Sequence, residues 1–174
     1  TSTTYCDSPS KTPRPFDQAR DGLVVSEGAG TIILEEYEHA KKRGAEIIAE
    51  IVGYSTCCDG QHMTNPGSEG MSRCMSQALS SAKCSISDID YINAHATATE
   101  LGDIAESEAI KKLAGDSIPV SGTKGYTGHT LAASGVMEAI FCLLMMKHDF
   151  VAPTLNLEKV DPRCDGIKHV KEKL

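Results

Sequence analysis

Two stretches, YINAHATATELGD (residues 91–103) and SGTKGYTGHTLAASG (residues 121–135), decide the fold. Each begins at a short apolar segment, continues through a polar or glycine-rich loop that carries one histidine, and leads into a helical pattern. Such alternation of strand and helix predicts an α/β structure in which parallel strands are joined by crossover helices. Ligands of these sheets bind beyond the carboxyl ends of the strands. The two loops therefore lie where a functional site is expected.

The rest of the chain supplies further strand and helix patterns around these two stretches. Residues 1–21 are rich in Thr, Ser, Pro and Asp and predict an extended arm that leads into the domain. Two aliphatic segments separated by EGAG predict a hairpin, and a turn-rich loop is expected over residues 55–69. The predicted strands are 23–26, 31–35, 47–54, 91–94 and 118–121, and the predicted helices are 37–43, 71–82, 101–114 and 131–147.

The two loop histidines, His95 and His129, are expected to converge. Neighbouring parallel strands lie about 4.8 Å apart, so loops at their ends can direct both imidazoles at one small oxygen atom. Glycines 122, 125 and 128 allow the backbone of the second loop to approach a ligand closely. For one histidine alone, a strand-end side chain bonded to local hydroxyls is the simpler interpretation. Two such histidines at neighbouring strand ends instead predict a site with paired hydrogen-bond donors.

Composition and charge disfavour several classes of function. Seventeen Lys and Arg against 24 Asp and Glu give a net charge of −7, which disfavours nucleic acid and anionic membranes as partners. The longest strongly apolar run, 139–146, is shorter than the roughly 20 residues that cross a bilayer. Seven cysteines without regular spacing indicate free thiols in a reducing compartment. Cys57, Cys58, Asp59 and His62 lack the spacing of a zinc site, so no metal is predicted.

The two histidine motifs resemble those of the β-ketoacyl-[acyl-carrier-protein] synthases, the condensing enzymes of fatty-acid synthesis, which have the thiolase fold. The segment TPRPFDQARDGLVVSEGAGTIILEEYEHAKKRGAEIIAEIVGY (12–54) is similar to the one that opens the C-terminal half of these enzymes. HDFVAPTLNLE (148–158) is similar to the one after the second histidine's helix. The opening stretch TSTTYCDSPSKTPRPFD (1–17) is most similar to that of the type I, chain-elongating synthases. The resemblance implies that residues 1–174 form the C-terminal βα half of a thiolase-like fold, with a mixed, mainly parallel sheet flanked by helices.

The resemblance also implies a role for each matching side chain. In the family, two histidines stabilise the enolate that forms when a malonyl thioester loses carbon dioxide, and a lysine paired with an acid lies beside them. Two neutral N–H donors preset around a developing oxyanion suit this reaction, and a nearby ammonium helps to keep the imidazoles uncharged. The matching residues are His95 and His129 as donors, Lys124 as the lysine, Glu106 as its acid partner, Asp103 as support of the loop, and Thr97 and Thr99 as contacts of the phosphopantetheine arm.

The chain departs from the family pattern in three places. Ala96 stands where the family commonly has glycine, and its methyl group restricts conformations with positive φ. The family's nucleophilic cysteine lies in the N-terminal half, and no matching context occurs here; Cys84 is only a superficial match. The phenylalanine- and glycine-rich hairpin that closes the family's C-terminus is also missing. Because the chain begins at Thr1 without a signal-peptide pattern, we expect it to begin in mid-protein.

The predicted function is that of the C-terminal half of a 3-oxoacyl-[acyl-carrier-protein] synthase, which performs a decarboxylative Claisen condensation. The resemblance implies no metal or redox cofactor, since the substrates are carried on the phosphopantetheine of an acyl-carrier protein. It also implies this carrier and a second copy of the synthase as partners, in the cytoplasm or a plastid-like organelle. Two alternatives stay open: a non-catalytic subunit of the chain-length-factor type, and a thiolase, which would carry a second cysteine near a histidine.

Overall fold

Five α-helices, three short strands and four 3₁₀ turns make up the regular structure of the described residues, 1–62 and 64–174, in this computed structural model. Met63, which falls in the predicted loop 55–69, lies outside the described residues. The helices are α1 (Tyr37–Lys42), α2 (Ser68–Ala82), α3 (Glu100–Ala114), α4 (Lys124–Thr127) and α5 (Ser134–His148), the strands are β1 (Ile92–Asn93), β2 (Pro119–Ser121) and β3 (Lys168–His169), and the 3₁₀ turns are Pro9–Lys11, Ile86–Asp88, Leu131–Ala133 and Pro162–Cys164.

The three strands form one parallel sheet in the order β1-β2-β3. Ile92 pairs with Val120, and Val120 in turn pairs with His169. The predicted parallel strands and crossover helix are therefore confirmed for β1, α3 and β2. The third strand was not predicted because Lys168 and His169 carry no run of apolar or β-branched residues.

Helix α3, which connects β1 to β2, has the charge pattern of a stable helix. Acidic side chains lie in its first turn and Lys111 and Lys112 in its last, so both ends complement the helix dipole. It ends at Gly115, whose φ of 57° is in the left-handed region that glycine adopts without strain. α3 packs against α2 and buries Ile110 completely. This packing anchors α3 in the core, and α3 begins where the loop after β1 ends.

The core lies between the sheet and α3, and the N-terminal segment supplies a central side chain to it. Phe16 is completely buried in one cluster with Val120 and Ile110. Asp17 pairs with Val160 as an antiparallel bridge. The arm predicted over 1–21 is only partly extended, since residues 9–11 form a 3₁₀ turn. It does lead into the domain, because the aromatic ring of Phe16 is buried in the core.

Three of the predicted strands do not join the sheet. Segments 31–35 and 47–54 have no strand pairing, and 23–26 makes a single parallel bridge, between Val25 and His129, in place of the predicted hairpin. β-Branched residues favour an extended backbone, but a strand also needs a partner for its hydrogen bonds. Large apolar side chains are exposed along these segments: Ile33, Leu34, Ile48, Ile51, Val52 and Tyr54.

Residues 131–148 form one helix, a 3₁₀ turn followed by α5, that is long and apolar enough to cross a membrane by length and composition alone. Its mean hydropathy of 1.4 exceeds what the short apolar run 139–146 suggested. The core helix of a water-soluble protein passes the same test, so one such helix is weak evidence of a membrane span. Glu138, near its centre, forms an ion pair with the buried Lys124, so the helix supplies a charged partner to a residue of the predicted site.

Candidate active site

The ends of β1 and β2 bring His95 and His129 together. Their ring centroids are 5.1 Å apart and the ring planes meet at 85°, an edge-to-face arrangement. His95 follows β1 directly in the loop that leads to α3, whereas His129 follows the short helix α4 after β2. The backbone of His129 is held by Val24 and Ser26, through bonds of 2.8 Å from its N–H and 3.1 Å to its carbonyl. The predicted convergence of the two rings is therefore observed.

Hydrogen bonds determine which nitrogen of His129 carries the proton. The backbone N–H of Leu131 lies 3.3 Å from its Nδ1, and Ser134 Oγ lies 2.9 Å from the same atom. Because a backbone N–H can only donate, Nδ1 must be the unprotonated, accepting nitrogen of the neutral ring. Nε2 therefore carries the hydrogen and is available as a donor.

The surroundings of both imidazoles lower their pKa values. Packing around His95, with smaller contributions from the positive charge of Lys124 and from His129, lowers the pKa of His95 to about 4. Desolvation and the charge of Lys124 likewise lower the pKa of His129, against an opposing effect of Glu138. Both shifts favour the neutral ring, since desolvation and a nearby cation each disfavour imidazolium. The site therefore presents two neutral rings rather than two cations.

Lys124 is paired with Glu138, and the prediction that it pairs with Glu106 is wrong. Its ammonium lies 2.5 Å from Glu138 Oε1, and its side chain is almost completely buried. Thr123 Oγ1 lies 3.3 Å from the same carboxylate oxygen. Glu138 comes from α5, 14 residues along the chain and after an intervening loop, so no local spacing in the sequence indicated the pair.

Glu106 instead holds the backbone of the His95 loop. Its two carboxylate oxygens accept hydrogen bonds from the N–H groups of His95 and Ala96, at 2.7 and 2.8 Å. Burial raises the pKa of Glu106, whereas these two bonds and the charge of Lys124 act in the opposite direction. Ala96 has a φ of 37°, which an alanine adopts only at a cost in strain. The bonds to Glu106 compensate for this strain, so the methyl group at this position does not exclude the positive φ.

Asp103 supports the same loop, as predicted from the resemblance, and also ties it to the core. One oxygen accepts from the N–H of Ala98, whose φ is 63°, at 3.1 Å, and the other from the N–H of Phe16 at 2.8 Å. Burial raises the pKa of Asp103 to about 7, although these bonds and the charge of Arg20 oppose the shift. Two carboxylates thus each hold one strained alanine of the loop.

Thr97 and Thr99 place their hydroxyls side by side at the start of α3. The two oxygens are 2.9 Å apart, and neither side chain caps the helix. Gly102 leaves room for them, because a Cβ at that position would come within 2.4 Å of Thr99 Oγ1. The pair can offer one hydroxyl proton and several lone pairs to a polar ligand. Their contact with a phosphopantetheine arm stays a prediction.

Arg20 has a buried side chain beside the site, and the sequence interpretation did not single it out. It donates to the carbonyls of Thr99 and Glu100, at 3.4 and 3.0 Å, and forms an ion pair of 2.7 Å with Asp161. Its side chain also lies 3.5 Å from Asp103. In the sequence, Arg20 stood out only as part of segment 12–54, which resembles the family. That resemblance names no partner for its side chain.

Comparisons with known proteins identify the family and the fold of this chain. Residues 48–158 match the family described as "Beta-ketoacyl synthase, C-terminal domain". The 3-oxoacyl-[acyl-carrier-protein] synthase 1 of Escherichia coli K12 is 46% identical over 172 residues, which cover 98% of this chain and 42% of that protein. The crystal structure of a beta-ketoacyl synthase from Burkholderia phymatum superposes with a TM-score of 0.93 at 49% identity, over 98% of this chain and 42% of that one.

A second solved structure, a type II polyketide ketosynthase in complex with its acyl-carrier protein, superposes with a TM-score of 0.91 at 39% identity, over 97% of this chain and 42% of that one. The chain thus spans about two fifths of the length of these relatives. The predicted half of a thiolase-like α/β fold is confirmed by the likeness to these ketosynthases. By its sequence and by its fold, this chain belongs to the beta-ketoacyl synthase family and corresponds to its C-terminal domain.

Proposed function

We propose that the chain supplies the decarboxylation site of a 3-oxoacyl-[acyl-carrier-protein] synthase, which adds two carbons to an acyl chain in fatty-acid biosynthesis. The observation that carries the proposal is the pair of neutral imidazoles, 5.1 Å apart between centroids, beside one buried ammonium. Its family membership and its relative in Escherichia coli support the same reaction. A cysteine from outside the chain serves as the nucleophile and carries the acyl group as a thioester.

Condensation requires that malonyl-carrier lose carbon dioxide at this site. The bond between the α-carbon and the carboxylate breaks, and its electron pair passes into an enolate whose charge lies on the thioester oxygen. N–H donors of His95 and His129 stabilise that oxygen as the charge develops. The enolate carbon then attacks the acyl thioester, and the cysteine thiolate leaves. Carbon dioxide and a 3-oxoacyl-carrier are the products, and no metal or redox cofactor takes part.

The surrounding side chains serve this step in different ways. Lys124 provides a positive charge that adds to desolvation in favouring the neutral form of both rings, and Glu138 prevents this charge from being buried alone. Glu106 and Asp103 set the position of His95 through the backbone. The hydroxyls of Thr97 and Thr99 hold the phosphopantetheine arm of the carrier.

The same proposal names the partners and the compartment of the complete protein. An acyl-carrier protein delivers both substrates, and the complex of a related ketosynthase with its carrier supports this partner. A second copy of the synthase forms a homodimer with the first. The protein acts in the cytoplasm, as its bacterial relative supports, or in the matrix of an organelle in a eukaryote.

The experiment is a His129→Ala substitution in the complete synthase, with His148→Ala, an exposed residue at the last position of α5, as the matched control. Removing one preset oxyanion donor typically costs about 10²–10³ in rate. We expect malonyl-carrier decarboxylation to fall by about this factor in His129→Ala, while acylation of the cysteine is largely retained. Equal loss of both steps, or no loss of decarboxylation, would contradict the proposal.

A non-catalytic subunit of the chain-length-factor type is the alternative that this experiment also tests. Such a subunit would show no decarboxylation in the unsubstituted protein. A scaffold has no need for two neutral donors beside a buried ion pair, and this arrangement favours the catalytic function.

A further inference from the structure

Ser134, the first residue of α5, has a buried hydroxyl whose use differs from the usual one at a helix start. Serine near a helix N-terminus commonly caps the first backbone N–H groups. Here Ala133 occupies the capping position, and Ser134 makes no side-chain cap. Its Oγ lies instead 2.9 Å from His129 Nδ1 and 3.1 Å from Thr130 Oγ1, and the residue is buried. The hydroxyl thus forms a hydrogen bond with His129 rather than with the backbone of the helix.

The direction of this hydrogen bond follows from its neighbours. The N–H of Leu131 already requires that Nδ1 of His129 be an acceptor, so Ser134 must donate to it while the ring is neutral. The hydroxyl of Thr130 can donate to Ser134 Oγ and so completes a chain of donors that ends on Nδ1. Successive hydrogen bonds of this kind polarise and strengthen one another.

We infer that Ser134 is a positioning residue, which donates to Nδ1 of His129 and holds the ring in the orientation in which Nε2 serves as a donor. The inference rests on the proposed function of His129. Ser134 does not touch the reacting atoms; it acts only through the ring. The bond from Leu131 is long, at 3.3 Å, so Ser134 is the stronger of the two constraints on Nδ1.

The hydrogen bond also has a consequence for pH dependence. Protonation of Nδ1 would require the Ser134 hydroxyl to turn from donor to acceptor and would end the chain of donors from Thr130. This chain therefore favours the neutral ring, and its removal makes imidazolium easier to form. The charged and titratable groups that face His129 are His95 from the loop after β1, Lys124 from α4 and Glu138 from α5. All three stay in place when Ser134 is replaced, so a shift in the pH profile reports the lost hydroxyl.

The test compares Ser134→Ala with Ser72→Ala in the complete synthase, because Ser72 is a buried serine of α2 outside the site. A typical net hydrogen bond corresponds to about 3- to 10-fold in rate. We expect the kcat of malonyl-carrier decarboxylation to fall by this factor in Ser134→Ala, with KM little changed and the acid limb of the profile moved to higher pH. Ser134→Thr, which keeps the hydroxyl, should restore both, and Ser72→Ala should change neither.

Two results would overturn the inference. One is an unchanged rate in Ser134→Ala, and the other is a lower rate with an unmoved acid limb, which indicates a merely structural role. The proposed function fails separately, through His129→Ala. If His129→Ala abolishes decarboxylation and Ser134→Ala leaves it intact, the function stands and only the role of Ser134 is refuted.

Discussion

The strands of the sheet and the unpaired segments of this chain are similarly aliphatic, but they differ in burial and in hydrogen bonding. β2 contributes Val120, which is completely buried and hydrogen-bonded on both sides, and its end leads into the His129 loop. Segments 31–35 and 47–54 are just as aliphatic, yet Ile33 is 87% exposed and Ile51 is 73% exposed. Apolar content therefore does not decide which segment becomes a strand. A segment becomes a strand when it has a hydrogen-bonding partner and a layer that covers its side chains.

The same contrast holds for ion pairs. Lys124 and Glu138 form a pair beneath the site with almost no exposure of the lysine, whereas Glu35 and Arg43 form one at the surface beside α1. In the buried pair, loss of one partner leaves a charge without compensation. In the exposed pair, water replaces the lost partner. The energy of an ion pair depends on its surroundings more than on its geometry.

The largest expected effect tests this difference between the pairs. Glu138→Gln leaves Lys124 buried without its partner, and we expect the free energy of unfolding to fall by about 3 kcal/mol. Glu35→Gln, in the exposed pair, should leave it nearly unchanged. Urea denaturation of both variants measures the difference. The double variant Lys124→Met with Glu138→Leu should recover most of the loss, because no charge is then left buried. Equal effects of the two single variants would contradict the comparison.

A second effect, of comparable size, concerns the aliphatic side chains. Ile110→Ala removes a completely buried side chain from the core cluster and should cost about 2–4 kcal/mol. Ile33→Ala, in the unpaired segment, should not shift the denaturation midpoint of the 174-residue chain. In the complete synthase the same Ile33→Ala variant serves as a probe: a loss of stability there indicates that the rest of the protein covers this segment.

The sequence predicted the parts of this molecule that depend on local pattern. The helices over residues 101–114 and 131–147 and the strand ends that carry His95 and His129 follow from periodicity and turn residues, and the structure has them within a few positions. Side-chain pairs between distant parts of the chain could not be predicted from such local patterns. Glu138 was missed because its partner lies 14 residues away, and Glu106 was assigned to Lys124 because the resemblance names a partner without its geometry.

The smallest expected effect concerns backbone strain in the two regions. Ala96, in the packed loop, has a φ of 37° and its methyl group lies against Gly122, whereas Gly44, after α1, has a φ of 72° and open space around it. Ala96→Gly relieves strain but loses a buried methyl group worth about 0.8 kcal/mol, so the two changes nearly cancel. Gly44→Ala adds strain with nothing to offset it and should cost about 1 kcal/mol. Thermal unfolding of both variants measures these effects. A stabilisation of more than about 1 kcal/mol by Ala96→Gly would mean that the bonds from Glu106 and Asp103 do not compensate for the strain of the loop.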